Sequence, residues 1–245
     1  MDRKYFYGMM LGEGNLDYEL YINTQQLLTA QKPYSDLCNA DELQFQLVHQ
    51  VEELWMKLIA YTLLDIDEQL LEGHTLKVLT LFKRVHSLQH CLTEAVALLE
   101  TMSPKAYQEI RLQLGNGSGQ ESPGFRTLLQ MPWHLWQSFE KSYLTTKGLT
   151  VKDIYHDQYT HCESYVVAEA LAEFDELFVK FRFHHFQLVR RSIGTNATSL
   201  KGRSSELLRK GLEMSFFPDL WKVRGEMTDA WGGQYGQVRD SLSVS

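Results

Sequence analysis

Cysteine is scarce in this chain: Cys38, Cys91 and Cys162 are the only three, widely spaced and odd in number. That pattern argues against a disulfide framework and a cysteine-based zinc site as organising features. No hydrophobic run approaches the roughly 20 residues needed to cross a bilayer. The opening Met1-Asp2-Arg3-Lys4-Tyr5-Phe6-Tyr7 has no apolar core of a signal peptide. Basic residues are outnumbered, 24 Lys and Arg against 31 Asp and Glu, for a net charge of −7. A sequence-independent grip on nucleic acid phosphates requires the opposite balance. The expectation is a soluble, reduced, cytoplasmic protein with neither a nucleic acid nor a membrane as partner.

Period-two alternation rich in β-branched residues is absent as well, and helical periodicity takes its place. Asn39 followed by Glu42 resembles a capping box, and Leu43, Leu47, Val51, Leu54 and Leu58 then recur at helical spacing. This predicts a helix from Asp41 to Leu71 that ends at Gly73. A second helix is expected from Leu76 to Met102. Ser103-Pro104 starts a third, with serine as cap and proline at the first helical position, and the glycine-rich 115–119 ends it. A long helix comes next, from Ser164 to Ile193 with Gly194 past its end, and a shorter one after Ser204 is closed by Phe217-Pro218. With 245 residues, 44% of them hydrophobic, the chain suffices for one large core. The reading is a single all-α domain over residues 1–245, a helical bundle. Residues 115–124, 195–203 and the C-terminus are the expected mobile parts, and 223–245 read as a polar tail.

Three residue pairs carry chemistry. Phe45/His49 and Tyr107/Arg111 are each spaced four apart, on one face of a helix. Phe183 and His185 lie within Phe181-Arg182-Phe183-His184-His185. Together they supply two histidines, an arginine able to hold a carboxylate through two parallel hydrogen bonds, and aromatic walls. A haem pocket for an aromatic acid needs this equipment. Singly, each residue has a plainer reading: a core histidine, or a surface arginine beside a packed tyrosine. His86 and His90, at i and i+4, could share a metal, but no third ligand follows nearby.

Five segments in order resemble the haem-dependent tryptophan 2,3-dioxygenases. They are Leu16-Asp17-Tyr18-Glu19-Leu20-Tyr21-Ile22 through Pro33; Phe45-Gln46-Leu47-Val48-His49-Gln50 with Glu53-Leu54-Trp55; Leu99-Glu100-Thr101-Met102-Ser103-Pro104 with Tyr107 and Arg111; Arg182-Phe183-His184-His185 with Arg191-Ser192-Ile193-Gly194; and Phe216-Phe217-Pro218-Asp219-Leu220-Trp221. The resemblance implies a buried haem pocket, with haem b on His185 as proximal iron ligand and Phe183 and Arg203 as further haem contacts. It implies O2 as co-substrate and His49 as the catalytic distal histidine. It further implies an indole substrate held by Phe45, Tyr107 and Arg111. Tyr18, Tyr21 and Ile22, from an N-terminal segment over 1–35, would close the pocket of a neighbouring subunit in a homo-oligomer, a tetramer or a dimer.

The departures fall in the substrate loops. Family members carry Ser-Gly-Phe-Gln-Ser where this chain has Ser118-Gly119-Gln120-Glu121-Ser122, and Thr-Gly-Gly-Ser-Ser where it has Lys201-Gly202-Arg203-Ser204-Ser205. A lysine repels a substrate ammonium, so Glu121 and Lys201 join the candidate substrate contacts. The segment between Phe125 and Leu149 is also short for the family. The resulting expectation is a haem-dependent oxygenase acting at the indole C2–C3 bond of L-tryptophan or a close derivative. The rivals are a haem monooxygenase giving an oxindole-type product and a non-catalytic haem or aromatic-ligand binder.

Overall fold

The computed structural model describes residues 1–156, 161–195, 198, 206–231 and 241. Every regular element among them is helical. Three short helices open the chain: α1 (Arg3–Met10), α2 (Asp17–Ile22) and α3 (Thr24–Leu28). The long α4 (Asp41–Glu72) and α5 (Thr75–Leu99) come next, then α6 (Pro104–Gln113), α7 (Pro123–Leu128), α8 (Met131–Phe139) and α9 (Val151–His156). The long α10 (Glu163–Ile193), α11 (Glu206–Gly211) and α12 (Pro218–Trp231) complete the order.

The expected stop of α4 and start of α6 coincide with physical signals, while α5 ends at Leu99, short of the expected Met102. Gly73 takes the left-handed conformation, φ 73°, which leaves only Gly73 and His74 between α4 and α5 and forces the two helices antiparallel. Ser103 caps α6 by accepting from the Ala106 amide at 3.1 Å, with Pro104 at the first position. Asn39 accepts from the Asp41 amide at 3.0 Å, but Glu42 does not complete a box. Its carboxylate accepts instead from the Cys38 amide at 2.7 Å and from Lys32 Nζ at 2.5 Å.

α5 lies between α4 and α10. His86 donates to the Ala170 carbonyl at 3.1 Å and Gln89 to that of Phe174 at 2.9 Å. Residue numbers rise together along both helices, so α5 and α10 run parallel, and α4 is antiparallel to both. The core between them is apolar and close-packed: Ile59, Leu63, Ile66 and Leu70 from α4, Val78, Phe82, Val85 and Leu92 from α5, and Val167, Leu171, Phe174 and Phe178 from α10. With α5 between them, the N-terminal half of α4 and the C-terminal half of α10 lie at the same end of the bundle, close enough for His49 to act electrostatically on His185. His49 and His185 therefore come to the same end of the bundle although 136 positions separate them.

Two buried or half-buried carboxylates pin residues 216–224 to α10. Asp175 Oδ2 accepts from the Phe216 amide at 2.9 Å, the Phe217 amide at 3.2 Å and Trp221 Nε1 at 2.8 Å. Glu169 takes Arg224 at 2.6 Å and the Tyr155 hydroxyl, joining α9, α10 and α12. This corrects the C-terminal expectation. Pro218 is the first residue of a helix and not the end of one, so residues 223–231, expected to belong to a polar tail, are helical.

The N-terminal segment is packed differently. α1, α2 and α3 contain no buried residue. The segment meets the body through polar contacts at its far end, where Gln31 Nε2 donates to Gln50 Oε1 at 2.7 Å and the Lys32 amide to Gln46 Oε1 at 3.0 Å. No helix among the described residues is long and apolar enough to cross a membrane.

Candidate functional site

α4 presents Phe45 and His49 one turn apart, their ring centroids 4.3 Å from each other. His49 Nδ1 lies 2.8 Å from the Phe45 carbonyl. A carbonyl only accepts, so the proton sits on Nδ1 and the lone pair on Nε2. Burial is the main influence on His49 and pushes its pKa below the usual histidine value, against a smaller upward pull from Glu53. His49 is thus a neutral imidazole with an acceptor nitrogen on offer.

α6 adds Tyr107, whose ring centroid is 6.3 Å from that of Phe45. Burial pushes its phenol up, while the nearby Arg111 charge opposes this. The placement of α6 is set from the start of α4: Asn39 Nδ2 donates to the Ala106 carbonyl and to Glu109 Oε2, both at 3.0 Å. Arg111 lies one turn beyond Tyr107 and donates one guanidinium nitrogen to the Thr198 carbonyl at 2.8 Å. A guanidinium has five N–H donors, so this contact leaves the fork capacity for a carboxylate.

α10 contributes His185. The residue as a whole is half-buried. Burial, with a smaller contribution from His49, pushes its pKa down to about 4. Neither ring nitrogen has a hydrogen-bond partner among the described residues. Gly119 stands opposite, where a Cβ would lie 3.8 Å from both Cε1 and Nε2. A neutral imidazole with an unpartnered ring nitrogen suits a haem iron, which needs a lone pair. His86 offers no comparable donor, because Nε2 is bonded to Ala170 and Nδ1 faces Glu173 at 3.2 Å. No group of three or more His, Cys, Asp or Glu that could hold a bare metal ion occurs among the described residues. A groove of about 430 Å³ beside His86 and His90 lies between α5 and α10, away from this cluster.

The structure therefore gathers Phe45, His49, Tyr107, Arg111 and His185 on the inner side of α4, α6 and α10. Phe183 departs from the expectation. Two residues are about 200° of helix turn, which puts Phe183 on the far side of α10 from His185, 45% exposed. The aromatic residue one turn before His185 on its own face is Phe181, which is buried. Tyr18 and Tyr21 are 72% and 90% exposed, and Ile22 is exposed too, so within one chain they line nothing. Glu121 Oε2 accepts from the Ser118 amide at 3.2 Å, closing a turn over 118–121. Lys201 and Arg203 lie outside the described residues.

Sequence reading misses two acids on α4. Glu53 accepts from the Ser122 hydroxyl and from the Gly124 amide at 3.0 Å, tying the 118–124 stretch to α4 where mobility is expected from composition. Glu52 is 6% exposed, and its Oε1 has no hydrogen-bond partner. Burial, then the neighbouring Glu53, raises its pKa from 4.5 to about 7. Between these values the folded protein keeps a proton that the unfolded chain has released, so Glu52 costs stability as pH rises. Relative to wild type, Glu52→Gln should gain on the order of 3 kcal/mol between about pH 4.5 and about pH 7. Urea titrations of both proteins across that window check this, and a difference independent of pH would contradict it.

The fold and this cluster describe an all-helical protein that pairs two neutral histidines beside an aromatic wall and an arginine. Residues 8–131 and 137–227 match the family model described as tryptophan 2,3-dioxygenase. The tryptophan 2,3-dioxygenase of Serratia proteamaculans is 30% identical over 266 residues, covering 86% of this chain and 93% of that protein. Those of Arthrobacter sp. and Myxococcus xanthus are 27% and 28% identical, over 86% and 88% of this chain and 92% and 91% of theirs. The chain belongs to the tryptophan 2,3-dioxygenase family.

Proposed function

We propose that this protein is a haem-dependent oxygenase that uses dioxygen at the C2–C3 bond of L-tryptophan or a close indole derivative. Family membership supports the enzyme class, with haem and dioxygen as its general requirements. The observation that carries the reading is His185, a neutral imidazole with no hydrogen-bond partner among the described residues, grouped with His49, Phe45, Tyr107 and Arg111.

In this reading His185 holds haem b, which when bound supplies a ferrous iron able to take up dioxygen. His49 Nε2 accepts the indole N–H, since its other nitrogen is committed to the Phe45 carbonyl. Phe45 stacks on the indole ring. Arg111 takes the substrate carboxylate in a bidentate pair, and Tyr107 lends its hydroxyl. Three anchors on one flat molecule fix where C2 and C3 lie, and positioning of that kind removes much of the entropic barrier. Haem-loaded, reduced protein with tryptophan and air tests the proposal through formation of N-formylkynurenine. Haem uptake without any turnover of tryptophan would count for the non-catalytic binder.

The functional unit in this reading is a homo-oligomer, tetramer or dimer, in the cytoplasm. The exposed apolar residues of the N-terminal helices support it, as does an exposed stripe at seven-residue spacing on the outside of α4 (Leu47, Leu54, Tyr61). Deleting residues 1–24 should therefore lower substrate affinity and weaken assembly together. A fully active monomer in light scattering and kinetics would contradict this.

A further inference from the structure

We infer that Glu53 is a positioning residue for the His185 pocket: its carboxylate clasps Ser122 and Gly124 and so fixes the turn over 118–121 against the imidazole. The inference rests on the haem reading of His185 and deepens it.

One oxygen of Glu53 accepts from the Ser122 hydroxyl and the other from the Gly124 amide at 3.0 Å. Ser122 Oγ also caps α7 by accepting from the Phe125 amide at 2.9 Å. The approach is as close as backbone allows. A Cβ at Gly124 would stand 2.8 Å from Glu53 Oε2 and 2.7 Å from Met56 Cβ, so only glycine brings the chain this near to α4. Upstream, the turn is closed on itself: the Glu121 amide donates to Ser118 O at 2.8 Å, the Ser122 amide to Gly119 O at 3.2 Å, and the Ser118 amide to Glu121 Oε2 at 3.2 Å. A turn braced in this way moves as one piece, and that piece presents Gly119 to His185 Nε2.

Glu53 sits four residues after His49 on the same helix face. One carboxylate thus sets the turn relative to both histidines, and the space beside His185 keeps its width only while the clasp is closed. Loss of the clasp should loosen whatever occupies that space without unfolding the bundle. A purely structural role, holding α7 to α4, makes a different forecast, because stability and pocket properties would then fall in proportion.

A similar acid–serine contact on the same helix provides the control. Asp67 Oδ1 accepts from Ser138 Oγ at 2.6 Å, joining α4 to α8 away from the histidines. Wild type, Glu53→Gln, Glu53→Asp, Ser122→Ala, the Glu53→Gln/Ser122→Ala double variant and Asp67→Asn would each be loaded with haem. Three quantities are compared: thermal stability, the rate of haem loss to excess apomyoglobin, and KM against kcat for tryptophan. Glu53→Gln and Ser122→Ala should each speed haem loss and raise KM about tenfold, the scale of one charge-assisted hydrogen bond. The double variant should fall well short of the sum of the two, because they share one contact, and Glu53→Asp should recover part of the loss. Asp67→Asn should lose comparable stability with haem loss and KM unchanged. Equal haem loss in Asp67→Asn and Glu53→Gln, or additive effects of Glu53 and Ser122, would overturn the inference while leaving the haem reading intact. If Glu53→Gln fails to fold, Ser122→Ala with Asp67→Asn decides the question alone. A wild-type protein that takes up no haem would overturn both.

Discussion

A His185→Ala protein is expected to fold and yet fail to take up haem stoichiometrically. Alanine is the best helix former, so α10 tolerates the change, and the residue is only half-buried. What is lost is a lone pair held ready by burial. The same burial gives a second signature, independent of haem. The folded pKa of about 4 lies below the ordinary 6.5. Between these values the unfolded chain binds the extra proton, so stability of the haem-free protein rises with pH across that window. The contribution is on the order of 3 kcal/mol, and it should disappear in His185→Ala. His184 is about 100° further round the helix, so His184→Ala should leave haem content and the ferrous spectrum nearly unchanged. Equal losses in the two variants would contradict the assignment of the ligand.

Arg111→Ala should weaken binding of an indole acid by about 2–5 kcal/mol, the cost of leaving a desolvated charge without its partner. That corresponds to roughly thirtyfold to several thousandfold in affinity. Arg111→Lys should recover little, because an ammonium cannot reproduce the planar fork. Tyr107→Phe removes one neutral hydrogen bond and should cost about 1 kcal/mol. Equilibrium titrations with tryptophan and with tryptamine, which lacks the carboxylate, separate the terms. Wild type should discriminate strongly between the two ligands and Arg111→Ala hardly at all. Undiminished discrimination in the variant would place the carboxylate elsewhere.

The helices and the pairs at i and i+4 are legible in the sequence because both depend on local chemistry. Gly73 stops α4 through its own φ, Ser103-Pro104 starts α6 through its own cap, and Phe45/His49 share a face by spacing alone. Legibility ends where the third dimension decides. Glu52 and Glu53 are identical letters side by side, yet a step of about 100° sends one into the core and the other to the loop clasp. Proximity in sequence groups Phe183 with His185, whereas the helix turns the two apart. Pro218 reads as a stop because proline breaks helix interiors, but as a first residue it costs nothing. The short α7, α8 and α9 escape a reading by periodicity because six to nine residues hold too few turns for it to stand out.

The most direct test of the central claim is mass spectrometry of the products formed by haem-loaded, reduced protein from tryptophan and related indole acids under isotopically labelled dioxygen. Two labelled atoms in a ring-opened product are the predicted result for C2–C3 dioxygenation, and one labelled atom would assign the single-oxygen reaction. No labelled product from any indole acid, by a protein that demonstrably holds haem on His185, would contradict the account.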